Sequence, residues 1–336
     1  MTIKALVADP GVALAMRLAE VPDPAPAPSQ VVIRAARVSL NHGDLNDAVS
    51  GRIPAGGVLG SDVAGVVAQA AADGSGPAEG TRVVALAQGS FATRVAADTS
   101  SVAVVPDDID LAVAAALPVA GLAALRSLHR CGSLLGKRVL VTGASGGVGV
   151  FAVQLAAAGG AHVTASVGSP TRGAQLRELG ARQVVVGLDG VDEPVDVVID
   201  NVGGQQMVRA WSLLASGGTL QSIGWTSGEP ASFPPYSTIG PRKSLVSYLT
   251  SGPAGTDLRT LLRLVQLGGL SVQFGWRGPF TEFADAAISL RERRIQGKAV
   301  MDVTPLPTIA PWLGVTRLAR RRIVARSTTA VRENGL

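Results

Sequence analysis

Between Val139 and Gly149 the chain reads Val-Leu-Val-Thr-Gly-Ala-Ser-Gly-Gly-Val-Gly. β-Branched residues stop at Thr142, small residues follow, and an apolar helical run starts near Val148. Gly143, Gly146 and Gly149 stand three apart, with Gly147 among them. Such residues let a backbone turn sharply from strand to helix and approach a pyrophosphate, which the free N–H groups of the helix start then stabilise. Gly143, Ala144, Ser145, Gly146, Gly147, Val148 and Gly149 are therefore candidate dinucleotide contacts. The flanks extend the pattern. Strands are expected at Arg138–Val141, Val163–Val167, Val184–Val186, Val195–Asp200 and Thr219–Ile223, with helices at Val148–Ala158 and Thr171–Leu179. This alternation implies α/β architecture with a doubly wound parallel sheet. Ligands of such sheets bind beyond the carboxyl ends of the strands, so Asn201, Val202, Gly203, Gly224 and Trp225 join the candidate set.

The second strand narrows the cofactor. A site for NAD places an acid about 20 residues beyond the glycine loop, on the ribose 2′-hydroxyl. Here that stretch is Ala165-Ser-Val-Gly-Ser-Pro-Thr-Arg172, and the first acid is Glu178. Ser166, Ser169 and Arg172 can donate to a 2′-phosphate, so NADP(H) is expected. A short-chain dehydrogenase would carry Tyr-x-x-x-Lys. Tyr236 and Tyr248 are followed four residues later by Gly240 and Gly252, and the loop lies far into the chain.

The length of 336 residues favours two domains. Residues 1–118 are β-rich, with β-branched runs at Ile3–Val7, Val31–Val38, Val58–Ala68, Arg82–Ala87 and Ala92–Ala96. Residues 111–135 are alanine-rich and helical. A helix over Glu282–Arg293 and a strand over Ala299–Val303 are expected to return to the first domain. The net charge of +5 arises entirely from residues 303–336, where six arginines face the single acid Glu333. The rest is charge-balanced, which argues against a nucleic-acid partner. One cysteine, Cys131, and three scattered histidines, His42, His129 and His162, make a metal site unexpected. The apolar run Leu111–Leu125 is interrupted by Pro118 and too short for a membrane span. The first residues carry no secretory h-region, so a cytoplasmic protein is expected.

Several segments together resemble a zinc-free medium-chain dehydrogenase/reductase of the quinone oxidoreductase group. They are Ser39-Leu-Asn-His-Gly-Asp-Leu45, Leu59-Gly-Ser-Asp-Val-Ala-Gly-Val-Val67, the glycine loop with Gln154-Leu-Ala, Asp196-Val-Val-Ile-Asp-Asn-Val-Gly-Gly204, Gly217-Gly-Thr-Leu-Gln-Ser-Ile-Gly224 and Gly297-Lys-Ala-Val300. The resemblance implies a GroES-like β domain over 1–118, rejoined by 270–303, and a Rossmann NADP(H) domain over 119–269. A basic extension, 304–336, follows. It places the active site in the cleft, with Asn41, His42 and Asp44 as catalytic candidates. Relatives that bind zinc carry Cys at Asn41 and Gly-His-Glu at Gly60-Ser61-Asp62, so no metal is expected. A hydride would then go to a quinone or α,β-unsaturated carbonyl, whose conjugation spreads the developing charge. The alternatives are a pathway-specific enoyl reductase with a bulky substrate and a weakly catalytic NADPH-binding regulator. The resemblance also implies a homodimer, with Leu245–Leu249 as a candidate pairing edge. Gly121-Leu-Ala-Ala124 departs from the family's Gly-Leu-Thr-Ala, losing a threonine hydroxyl.

Overall fold

The computed structural model describes residues 1–240 and 242–303; the basic extension expected over 304–336 lies outside the described residues. The chain begins with β1 (Thr2–Ala8), β2 (Met16–Pro22), β3 (Gln30–Leu40), α1 (His42–Ser50), β4 (Asp62–Gln69), β5 (Arg82–Leu86), β6 (Arg94–Asp98) and β7 (Val102–Val104). It continues through α2 (Leu111–Ala115), α3 (Pro118–Arg130), β8 (Arg138–Val141), α4 (Gly147–Ala158), β9 (His162–Val167), β10 (Gln183–Val186), β11 (Val195–Asp200), α5 (Gly204–Ser212) and β12 (Leu214–Ser222). It closes with β13 (Ser244–Ser247), α6 (Gly255–Gln266), β14 (Phe274–Pro279), α7 (Phe283–Arg291) and β15 (Lys298–Asp302).

Two large sheets and an antiparallel β1–β2 pair organise these elements. A seven-stranded sheet runs β14-β15-β3-β4-β5-β7, with β6 also paired to β3. β3 is rich in valine and isoleucine and buried on both faces, as its partners on either side require. β15 joins it antiparallel, bringing residue 299 opposite residue 40. The second sheet is parallel, ordered β10-β9-β8-β11-β12-β13. Its strand order reverses between β8 and β11, which opens a crevice at their carboxyl ends. An apolar cluster runs from Ala36, Ala64 and Val84 through Leu117 and Leu122 of the α3 region to Val139, Val141 and Ile199. The two sheets thus share buried surface.

Three departures from the sequence reading have local causes. The alanine-rich region divides into α2 and α3, because Pro118 lacks an N–H and begins a new helix. The helix expected over Thr171–Leu179 is a 3₁₀ turn at Pro170–Gly173 followed by further turns. Gly173 packs so tightly on β10 that a Cβ there would lie 2.6 Å from Val184 Cγ1. β2, β7, β14, α1, α5 and α6 had no expectation attached to them, and the exposure of β14 weakens its periodic signal; β12 was expected over Thr219–Ile223 and begins earlier, at Leu214, where hydroxyl and glycine residues hide the strand.

Candidate functional site

The glycine loop leaves β8 at the strand-order reversal. Gly143 adopts φ +58°, and its N–H neighbour Ala144 donates to Ser166 O at 3.0 Å. Gly146 N–H donates back to Gly143 O at 3.0 Å and caps α4 with extended φ/ψ. Gly149 is essential to this turn: a Cβ would lie 2.4 Å from Gly143 O and 2.6 Å from Ala144 Cα. Gly147 N–H faces Gly297 O across a parallel bridge, while the first-turn N–H groups of Val148 and Gly149 precede the helix's own hydrogen-bonding register and are available to an anion.

The loop following β11 faces it. Asn201 donates its amide to Thr142 O at 2.9 Å, and its backbone N–H to Thr142 Oγ1 at 3.1 Å. Thr142 in turn donates to Asp200 Oδ1 at 2.6 Å, while Asp200 Oδ2 accepts Gly203 N–H at 2.9 Å. Burial pushes the Asp200 carboxyl up, opposed by these donors. Asn201 Oδ1 is buried without a protein partner, an acceptor with no donor of its own. Val202 lies over Gly143, and the Trp225 ring lies over Gly203, where a Cβ would come within 2.7 Å of it. Gly224 is held equally close to Asn201 O. Of the residues expected after the fourth and fifth strands, Asn201 and Val202 meet the glycine loop, while Gly203, Gly224 and Trp225 pack around Asn201 and one another. Unpaired first-turn amides, an orphaned acceptor and a cradle that excludes Cβ atoms fit a dinucleotide.

The three donors expected for a 2′-phosphate separate. Ser166 is fully buried; its hydroxyl donates to Gly187 O at 2.7 Å and accepts from Gln206 Nε2 at 3.0 Å. Ser169 and Arg172 are half-buried near the surface. Arg172 reaches Ser145 Oγ at 3.0 Å, Ile295 O at 2.9 Å and Arg293 O. It thereby ties the segment before β15 to the glycine loop.

That segment also carries the other half of the site. Gly297 N–H donates to Ser145 O at 2.8 Å, and Lys298 follows with 3% exposure. Its ammonium donates to Asn41 Oδ1, to Asp62 Oδ2 at 3.4 Å and to Leu40 O at 3.5 Å. Asn41 donates to Asp62 Oδ2 at 2.9 Å and, through its backbone N–H, to Asp44 Oδ2 at 2.8 Å. Asp62 Oδ1 accepts Val119 N–H at 2.8 Å. Burial pushes Asp62 up, against the opposing effects of Lys298, Asn41 and Val119. Asp44 is pushed up to about 7 by burial and then by Asp62. His42, at the start of α1, is held below its ordinary value by burial and by the nearby cations Lys298 and Arg293. Asn41 and Asp44 thus belong to one network, with His42 beside it.

Asp62 and Lys298 were not among the candidate residues, although both stood in the motifs quoted above. One signal was available: Lys298 is one of only four lysines and directly precedes an apolar strand. Its partner lies 236 residues away, beyond any local periodicity.

Comparison with known proteins identifies the family of the fold. Residues 27–107 match the alcohol dehydrogenase GroES-like domain, and residues 147–256 match the zinc-binding dehydrogenase domain. The chain belongs to the medium-chain dehydrogenase/reductase family, on its quinone oxidoreductase-like side. The family binds a nicotinamide cofactor and its members are oxidoreductases. The chain is 31% identical over 284 residues to the mitochondrial NAD(P)H oxidoreductase RTN4IP1 of Mus musculus, covering 73% of this chain and 70% of that one. It is 32% identical over 256 residues to the spectinabilin polyketide synthase protein NorB of Streptomyces orinoci, but spans only 12% of that protein's length. The structures of a quinone oxidoreductase from Coxiella burnetii and of a mycobacterial protein complexed with NADPH each superpose with TM-score 0.80 at 25% identity. Each comparison covers 90% of this chain and 100% of the other. No helix among the described residues is long and apolar enough to cross a membrane.

Proposed function

We propose that this chain is an NADPH-dependent reductase of quinones or α,β-unsaturated carbonyls that works without zinc. The observation that carries the reading is the Lys298 ammonium. It sits between Asn41 Oδ1 and Asp62 Oδ2, positions that by resemblance correspond to the Cys and the Glu of Gly-His-Glu in zinc-dependent relatives. An ammonium that holds these oxygens competes with a metal cation for them and repels it. Without a Lewis acid, the favoured acceptor is one whose own conjugation takes up negative charge.

When bound, NADPH supplies the hydride. The chain supplies the rest. Gly143–Gly149 receives the pyrophosphate on the first turn of α4, and Asn201, Val202, Gly203, Gly224 and Trp225 line the nicotinamide half. Ser169 and Arg172 take the 2′-phosphate, with buried Ser166 bracing the strand end beneath them. Asn41 and Asp44 shape the wall beside the nicotinamide. His42, whose charged form is disfavoured by burial and by Lys298 and Arg293, gives up its contact with the Leu290 backbone to donate to the substrate oxygen, and solvent provides the proton. The reading includes the domain limits 1–118 with 270–303 and 119–269, cytoplasmic residence, and a homodimer paired through β13, an edge strand with Leu245 exposed.

The similarity to NorB supports a second reading, an enoyl reductase for a bulky biosynthetic enone. Steady-state assays with NADPH and NADH against quinones and enones, with a chelator present, test both. Turnover with NADPH across small quinones supports the first. Turnover confined to bulky enones supports the second. Equal efficiency with NADH, or activity abolished by the chelator, overturns the cofactor or zinc-free assignment.

A further inference from the structure

Lys298 makes contacts on two sides. Its stem lies on the start of α4: a Cβ on Gly147 would come 2.9 Å from Lys298 Cδ. The preceding residue, Gly297, is bonded to Ser145 O and bridges Gly146. Its head lies on the turn that opens α1, through Leu40 O, Asn41 Oδ1 and Asp62 Oδ2. An ammonium has three donors, and these three oxygens take them. Lys298 therefore has no hydrogen left for a substrate, and its burial removes it from solvent. Asn41 is fixed in turn. Its oxygen is engaged by Lys298, and its amide nitrogen reaches Asp62 Oδ2 at 2.9 Å, Ser39 O at 3.3 Å and Asp44 Oδ2 at 3.3 Å. The orientation of Asn41 then has one cationic reference, and that reference rests on the helix start at the glycine loop.

We infer that Lys298 is a positioning residue, which couples the seating of the dinucleotide on the Gly143–Gly149 loop to the orientation of Asn41 and the opening turn of α1. The inference rests on the reading of this crevice as the NADPH site. Its chemistry is that of a built-in cation. The ammonium does the organising that a metal would do among these oxygens and leaves the substrate to the wall it shapes. Asp62 serves as the counter-charge, and Val119 N–H at 2.8 Å holds that carboxylate to the start of α3.

The test compares Lys298→Met with the double variant Lys298→Met/Asp62→Asn. The single variant leaves Asp62 buried without its cation and is expected to lose thermal stability. The double variant removes both charges and is expected to recover most of it, while Asn41 still lacks its reference. For the double variant kcat is expected to fall on the order of 10- to 100-fold, with KM for NADPH changed less than about threefold. Recovery of kcat together with stability would show a merely structural ion pair and overturn the inference. Hydrogen exchange gives a readout independent of turnover. NADPH is expected to protect both 147–150 and 42–45 in the wild type, but only 147–150 in the double variant. Protection of 42–45 that persists in the double variant also overturns it. If the wild type binds NADPH without reducing any acceptor, the proposed function falls while the exchange experiment still decides the role of Lys298.

Discussion

Two neighbouring glycines of the cofactor loop separate packing from binding. Gly149→Ala sets a methyl 2.4 Å from Gly143 O, 2.6 Å from Ala144 Cα and 2.8 Å from Ala144 C. All three are backbone atoms, so α4 must withdraw from the loop. Overpacking of this kind costs about 1–3 kcal/mol, which lowers Tm by roughly 1–4 °C in a chain of this size. Gly146→Ala meets only Gly143 O, at 3.3 Å, and its φ of −81° suits alanine. The slight crowding is offset by a stiffer unfolded chain, so stability is expected to change by less than about 0.5 kcal/mol. On the proposed seating of the pyrophosphate against this loop, the added methyl keeps the backbone from close approach, and the NADPH Kd is expected to rise on the order of tenfold. Thermal unfolding of the apoprotein and NADPH fluorescence titration measure the two effects. A Gly149→Ala protein that melts with the wild type refutes the packing argument. A Gly146→Ala protein that binds NADPH normally refutes the assignment of the loop to the pyrophosphate.

Other perturbations follow from the same geometry. Arg172→Leu removes a guanidinium held by Ser145, Arg293 and Ile295, and is expected to reduce the preference for NADPH over NADH on the order of tenfold in kcat/KM. An unchanged preference would take Arg172 out of cofactor selection. Asp44, pushed up to about 7, keeps a proton between about pH 4 and 7 that the unfolded chain has released. Folding stability measured by denaturant titration should therefore decline as pH rises through that window, and Asp44→Asn should flatten the decline. His42→Phe removes one hydrogen bond to the substrate oxygen and is expected to lower kcat about tenfold. Undiminished kcat would reduce His42 to a lining residue. Trp225, packed on Gly203, should transfer excitation to bound NADPH, and Trp225→Phe should abolish most of that sensitised emission.

The most legible part of the chain was the part whose function depends on local order. The strand Arg138–Val141 has the same bounds in sequence reading and structure, and α4 begins one residue earlier than expected, at Gly147. Both follow from a switch between β-branched and small residues that admits few backbones. The turn Asn41–Asp44 was also readable, but its meaning changed. It opens α1, and Asn41 and Asp44 form a reciprocal capping box there. What the sequence did not disclose depends on distance in the chain. The Asp62–Lys298 pair, the Thr142–Asp200 hydrogen bond and the tie from Arg172 to Ile295 join elements 236, 58 and 123 residues apart. Ser166 illustrates the converse. It stands at the strand end expected for a cofactor donor, yet the fold turns its hydroxyl toward Gly187.

The transfer of deuterium from NADPH labelled at the nicotinamide C4 to a simple enone, with chelator present, tests the central claim most directly. Mass spectrometry and NMR of the product should find deuterium at the β carbon and a solvent-derived hydrogen at the α carbon. A product without label at the β carbon, or label transferred only when metal is supplied, would contradict a zinc-free hydride transfer to a conjugated acceptor.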